Sequence, residues 1–193
     1  MKTVDAIKVL WDWDRRERSV FSVADLRKMF PERSPKTFAE GLRRLVRQGF
    51  LEHAARGVYV NPLSRLSKRY LIEKIAVCLR RGEYSYVSLE SALSEYGVIS
   101  QIPMSRITVM TTGRSATVRT PYGVIEFTHS KRSPADILNK TIIMEKRPLR
   151  IARVETALRD LRRVGRNLDM VNLEEYEDIL KEQAEEAARV TPT

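Results

Sequence analysis

The stretch SPKTFAEGLRRLVRQGFLEHAARGVYV, residues 34–60, constrains the fold more than any other part of the chain. Ser34 is a good helix N-cap, and Pro35 follows at the first helical position, where a missing N–H costs nothing. Phe38, Leu42, Leu45 and Val46 recur at helical spacing on one face. The opposite face carries Lys36, Glu40, Arg43, Arg44 and Arg47, with Thr37 at its edge. Gly49 stops the helix. Two strand-like runs, 50–53 and 57–60, follow around a small loop holding Arg56. A helix with a basic outer face and an immediate small hairpin is the sequence shape of a winged helix-turn-helix. The helix would enter a major groove and the hairpin would be the wing.

The residues before this stretch supply the rest of such a module. Val4, Ile7, Leu10 and Trp11 predict a first helix over 4–13. A charged turn and a short extended Val20-Phe21 lead to Ser22, which with Asp25 resembles a capping box. The second helix would bury Val23, Leu26, Met29 and Phe30 and stop at Pro31. Residues 31–33, including Arg33, supply the turn. Asn61-Pro62 breaks the hairpin, which places a domain boundary after residue 63.

Beyond it, helices are expected over 65–81, from Ser88 to Gly97, and over 154–164. A β-rich region lies between them: 106–111, the pair 117–120 and 124–128 around Pro121-Tyr122-Gly123, then 141–145 and 149–152. Ser133-Pro134 opens a short helix. Asn172 caps a last helix with Leu173, Tyr176, Ile179 and Leu180 inward. The expected fold class is α+β: a winged helix-turn-helix at 1–63, then a mixed α+β domain with an antiparallel sheet at 64–193, ending in an acidic helix.

The net charge of +10 over 193 residues points to a polyanionic partner, most simply nucleic acid. Residues 1–63 hold 13 basic against 8 acidic side chains, residues 64–170 hold 20 against 10, and residues 171–193 hold 2 against 7. The middle segment is thus the most basic and the tail is acidic. A lone cysteine, Cys78, excludes an intramolecular disulfide framework and a multi-thiolate metal site. With no apolar run of about 18 residues and no secretory signal, a cytoplasmic protein with no membrane association is expected.

Little in the chain suggests catalysis. His53 falls in the wing and suits a surface or phosphate contact; His129 ends a strand. Cys78 sits among apolar helical neighbours as a small hydrophobe. Glu126, Glu145 and Arg147 would make a nuclease-like set only if folding joined them, and strand carboxylates are usually solvated. Gly113 marks a turn and no glycine loop cradles phosphate. No catalytic residue, metal ligand or cofactor is assigned. The DNA-binding candidates are Arg33, Lys36, Thr37, Arg43, Arg44, Arg47 and Arg56, with the first helical turn toward base edges and the later arginines toward phosphates.

Nearly the whole chain resembles the AbiEi family of type IV antitoxins. The wing RQGFLEHAARGVYV carries Gly49, Gly57 and Tyr59 where that family has its wing glycines and tyrosine. More telling are YSYVSLESALSEYGVISQIP and ITVMTTGR, then the hairpin TPYGVIEFTH and the helix VETALRDL. The resemblance implies a transcriptional autorepressor, concerned with phage resistance, that binds inverted repeats of double-stranded DNA in its own promoter. It is compatible with a monomer in solution that loads cooperatively on DNA, and the oligomeric state is left open. It also implies a second domain opposing a nucleotidyltransferase-like toxin without forming a stable complex. The sequence ends soon after the Asn172 helix, where some family members continue, which keeps a stand-alone regulator open. A nucleic-acid-processing enzyme and an interaction adaptor are the other readings.

Overall fold

The computed structural model of this chain describes residues 2–32, 34–66, 68–100 and 105–190. The chain is α+β and divides into two compact units, Met1–Gly82 with Val118–Gly123, and Glu83–Thr117 with Val124–Thr193.

The first unit opens with α1 (Thr3–Arg15), β1 (Val20–Ser22), α2 (Val23–Met29) and α3 (Pro35–Arg47). It continues with β2 (Glu52–Ala55), β3 (Val58–Val60) and α4 (Leu71–Leu79). The strands form an antiparallel sheet in the order β1-β3-β2. The α1 stripe is Ala6, Val9, Leu10 and Trp13, not the expected Val4-Ile7-Leu10-Trp11 face; Val4 and Trp11 are exposed. That stripe meets Phe21, Leu26, Phe30, Phe38, Leu42, Leu45 and Leu51 in one core. Each such buried Leu or Phe contributes about 1.5–3 kcal/mol.

Local signals set the helix ends. Ser22 and Asp25 form a full capping box: the Asp25 N–H donates to the Ser22 hydroxyl and the Ser22 N–H to the Asp25 carboxylate. Gly49, at φ +76°, closes α3 in a Schellman turn, with Phe50 N–H donating to the Leu45 carbonyl and Gly49 N–H to the Val46 carbonyl.

Two expectations shift here. The helix expected over 65–81 begins only at Leu71, because the Asp14 carboxylate accepts from the Ser64 hydroxyl and the Arg65 N–H and holds that stretch non-helical. The boundary expected after Leu63 falls inside the unit: α4 packs on β1 and β3, burying Leu71, Ile75 and Ala76.

After α4 come β4 (Ser85–Val87), α5 (Leu89–Glu95), β5 (Arg106–Thr111), β6 (Ala116–Thr120) and β7 (Gly123–His129), all in the second unit except the β6–β7 tip Val118–Gly123. The second unit then adds α6 (Pro134–Lys140), β8 (Thr141–Ile142), β9 (Arg150–Ala152), α7 (Val154–Val164) and α8 (Leu173–Val190). The sheet order is β6-β7-β5-β4-β9-β8. This sheet is mixed, where an antiparallel one was expected: β5 with β7 and β4 with β9 are parallel, β4 with β5 and β8 with β9 antiparallel. The cause is one skipped position. The chain leaves β5, lays β6 one strand-width away, and returns β7 into the gap, so β7 must run with β5. Helix α5 lies against β5 and α7.

The last helix is less buried than its expected inward stripe. Asn172 does cap it, its side-chain oxygen accepting from the Glu174 and Glu175 N–H groups. Leu173, however, is 54% exposed, and Tyr176, Ile179 and Leu180 are only half-buried.

Candidate nucleic-acid interface

Helix α3 begins where the sequence places it. The Ser34 hydroxyl accepts the Thr37 N–H at 3.1 Å, and the two hydroxyls lie 2.8 Å apart. Lys36, Thr37, Arg43 and Arg47 are exposed, and Arg44 is half-buried. Thr37 therefore reaches outward with one hydroxyl bond already committed to the cap. Arg33 lies outside the described residues. Arg56 is exposed at the β2–β3 turn, whose Gly57 sits at φ +76°. The Gly57 carbonyl accepts the Val23 N–H at 3.0 Å, which ties the hairpin tip to the start of α2.

Between α2, α3 and the hairpin runs a mainly apolar groove of about 490 Å³. Its floor is Val23, Phe38, Leu42, Val46 and Tyr59, and Arg27, Arg43, Arg47 and His53 stand around it. The Arg27 guanidinium lies 5.4 Å from the Phe38 ring centroid, a cation–π contact. His53 is exposed and meets the Tyr59 ring edge-on at 5.1 Å. Sequence reasoning placed Arg43 and Arg47 on one exposed face but missed the groove, which exists only once the hairpin folds beside the helix.

The division into units also changes the charge argument. The six cations of residues 64–82 belong to the first unit, which carries 20 basic against 9 acidic side chains, net +11. The second unit carries 15 against 16, net −1. The cation excess read over residues 64–170 therefore falls mostly to the first unit.

Not every cation is available for phosphate. Asp25 holds two of them: Arg81 donates to both its oxygens at 2.8 and 2.7 Å, and Arg18 lies 2.7 Å away. Burial alone would raise the Asp25 carboxyl, but the Arg81 and Ser22 hydrogen bonds and the Arg18 charge outweigh it and hold the group well below the usual carboxylate range. Burial pushes the nearby Cys78 thiol up, which suppresses thiolate and agrees with a packing role.

The second unit holds its polar residues in two networks. Asp160, fully buried on α7, accepts from the Ser88 hydroxyl at 2.8 Å, the Tyr86 hydroxyl at 3.1 Å and the Arg132 guanidinium. Burial and the Asp160 charge push the Tyr86 phenol up to about 12. The Ser88 hydroxyl thus points at Asp160 and makes no side-chain cap for α5, and Leu89 takes a left-handed φ of +58° to turn the chain. Ser91 and Thr108 bond reciprocally, each N–H donating to the other's hydroxyl. In the other network Arg166 bridges Glu90 and Glu126, and the Asn167 amide also donates to Glu90. The blocks SLESALSEYG and VETALRDL therefore meet through the buried Ser88–Asp160 hydrogen bond. Glu126 also pairs with Arg106, Arg147 pairs with Glu95, and Glu145 is exposed, so the nuclease-like trio is not assembled. His129 is exposed, its ring nitrogen 2.9 Å from the Gly113 carbonyl.

No helix among the described residues is long and apolar enough to cross a membrane. No known family pattern matches the chain, and no curated protein matches it in sequence. Among solved structures it is similar to the crystal structure of the RV2827C protein from Mycobacterium tuberculosis, at 20% identity and a TM-score of 0.46 over 69% of this chain. The chain spans about half of that structure, 47% of its length. At that level the likeness assigns neither fold nor activity to this chain.

Proposed function

We propose that the chain is a DNA-binding transcriptional repressor whose first unit is a winged helix-turn-helix, acting at inverted repeats in its own promoter. The observation that carries this reading is the exposed basic face of α3, followed at once by the Arg56 hairpin, in a unit of net charge +11. A B-DNA major groove is about 12 Å wide and admits one α-helix. Lys36 and Thr37, in the first turn of α3, would face base edges. Arg43, Arg44 and Arg47 further along, and Arg56 on the wing, would neutralise phosphates.

The family resemblance extends the proposal: a cytoplasmic antitoxin of an AbiE-like type IV system that opposes a nucleotidyltransferase-like toxin without a stable complex. The reading assigns no catalytic role, metal or cofactor. Two experiments test it. The full chain should shift duplex DNA from immediately upstream of its own gene at lower concentration than a scrambled duplex at the same salt; equal affinity would overturn the repressor. Co-expression should relieve growth arrest caused by a nucleotidyltransferase encoded next to the gene. Where no such neighbour exists, the proposal contracts to a stand-alone regulator.

A further inference from the structure

Helix α8 carries an apolar stripe that stays partly open: Tyr176, Ile179 and Leu180 are half-buried and Leu173 is exposed. It spans 18 residues, and helices in proteins draw most of their stability from packing an amphipathic face. Leu173, Tyr176 and Leu180 fall at i, i+3 and i+7, with Ile179 beside them, the spacing of anchors that seat a helix in a groove. None of the four is buried, and Leu173 is more than half exposed. Around the stripe stand Glu174, Glu175, Glu177, Asp178, Glu182 and Glu185, all exposed. The groove beside α3 has the matching character: an apolar floor, and Arg27, Arg43 and Arg47 at its rim.

We propose that α8 of a second copy of this chain seats its apolar stripe in the α2–α3–hairpin groove, with its acids on the rim arginines. Stripe and groove occur on every molecule, so two chains can satisfy each other reciprocally and close as a two-fold dimer. An anionic helix on Arg43 and Arg47 occupies cations that a duplex would otherwise use, so self-association and DNA binding exclude each other. That competition rests on the DNA-binding reading given above; the self-association does not.

The test is sedimentation of the full-length chain from 1 to 200 µM, at about 50 mM and about 500 mM salt. At low salt a concentration-dependent dimer is expected, weakened about tenfold or more at high salt, where rim charges are screened. Arg43→Gln with Arg47→Gln, all exposed groups, should abolish it. So should Leu173→Ser with Tyr176→Ser. Arg43→Glu with Arg47→Glu should be monomeric alone and dimerise when mixed with a Glu174→Lys, Glu177→Lys, Glu182→Lys chain. A monomer at every concentration overturns the proposal, as does a dimer untouched by both sets of changes. Adding a duplex of unrelated sequence should lower the dimer fraction; a dimer that persists under saturating duplex overturns the exclusion. If the Gln pair loses the dimer yet keeps full duplex affinity by fluorescence anisotropy, the α3 reading fails while the α8 assignment stands.

Discussion

Replacing Asp160 by Ala should be among the most damaging single changes in the second unit. The carboxylate is fully buried and accepts from three donors, the Ser88 and Tyr86 hydroxyls and the Arg132 guanidinium. Its loss takes the buried anion from a guanidinium whose side chain is only 14% exposed, leaving it the more exposed Asp136 carboxylate at 3.3 Å and the Tyr86 hydroxyl. Removing one partner of a buried ion pair costs about 3–5 kcal/mol, mostly as desolvated charge left without a partner. Against a total stability of about 5–15 kcal/mol that is a large fraction. For a unit of this size a cost of about 3 kcal/mol lowers the melting temperature by about 12 °C. Urea unfolding followed by far-UV circular dichroism measures the cost. Both tryptophans, Trp11 and Trp13, belong to the first unit, so their fluorescence serves as an internal reference. If stranded charge is the cause, Asp160→Ala with Arg132→Met should cost clearly less than the two single changes added together. A single-variant cost below about 1 kcal/mol, or strict additivity in the double variant, would refute the reasoning.

Asp25 should make the first unit acid-sensitive. Its folded value lies below the unfolded value of about 3.9, so the stabilisation is fully present above about pH 4 and lost as pH falls toward the folded value. Urea midpoints of the wild type and Asp25→Asn should converge between pH 5 and pH 2.5; parallel curves would contradict the assignment. Gly49→Ala should cost about 1–2 kcal/mol by thermal unfolding, since a Cβ there meets nothing within 4 Å and the penalty is the left-handed backbone alone. On DNA, Arg43→Ala and Arg47→Ala should weaken specific and scrambled duplexes alike. Each should flatten the log–log salt dependence by about 0.9 for every phosphate no longer neutralised. Lys36→Ala or Thr37→Ala should instead lower the ratio of specific to non-specific affinity, and an unchanged ratio would show that the first turn of α3 does not face the bases.

Features governed by neighbours in sequence could be read directly. Ser34, Pro35 and Gly49 bracket α3, Ser22 and Asp25 build their box, and α7 runs over 154–164 as its periodicity predicts. What was illegible depends on partners far along the chain. Nothing near Ser64 announces that Asp14 will hold it out of a helix. Glu90 looks like an ordinary first-turn acid, yet its partner Arg166 lies 76 residues away. The parallel pairing of β5 and β7 follows from which gap a returning strand fills, a choice periodicity does not encode. Arg43 and Arg47 were legible because they are exposed; the groove they rim was not, since His53 and Tyr59 reach it only through the hairpin.

The short hairpin tip Val118–Gly123 belongs to the first unit, where the Tyr122 hydroxyl donates to Glu52 at 2.7 Å. That unit is therefore discontinuous along the polypeptide. During synthesis, which proceeds from the N-terminus, its helices and small sheet can form once Gly82 has left the ribosome, but Glu52 waits another 41 residues, to Gly123, for its remaining partner. A nascent chain stalled anywhere in that interval presents an incomplete first unit, and a fragment cut at Gly82 inherits the same defect permanently.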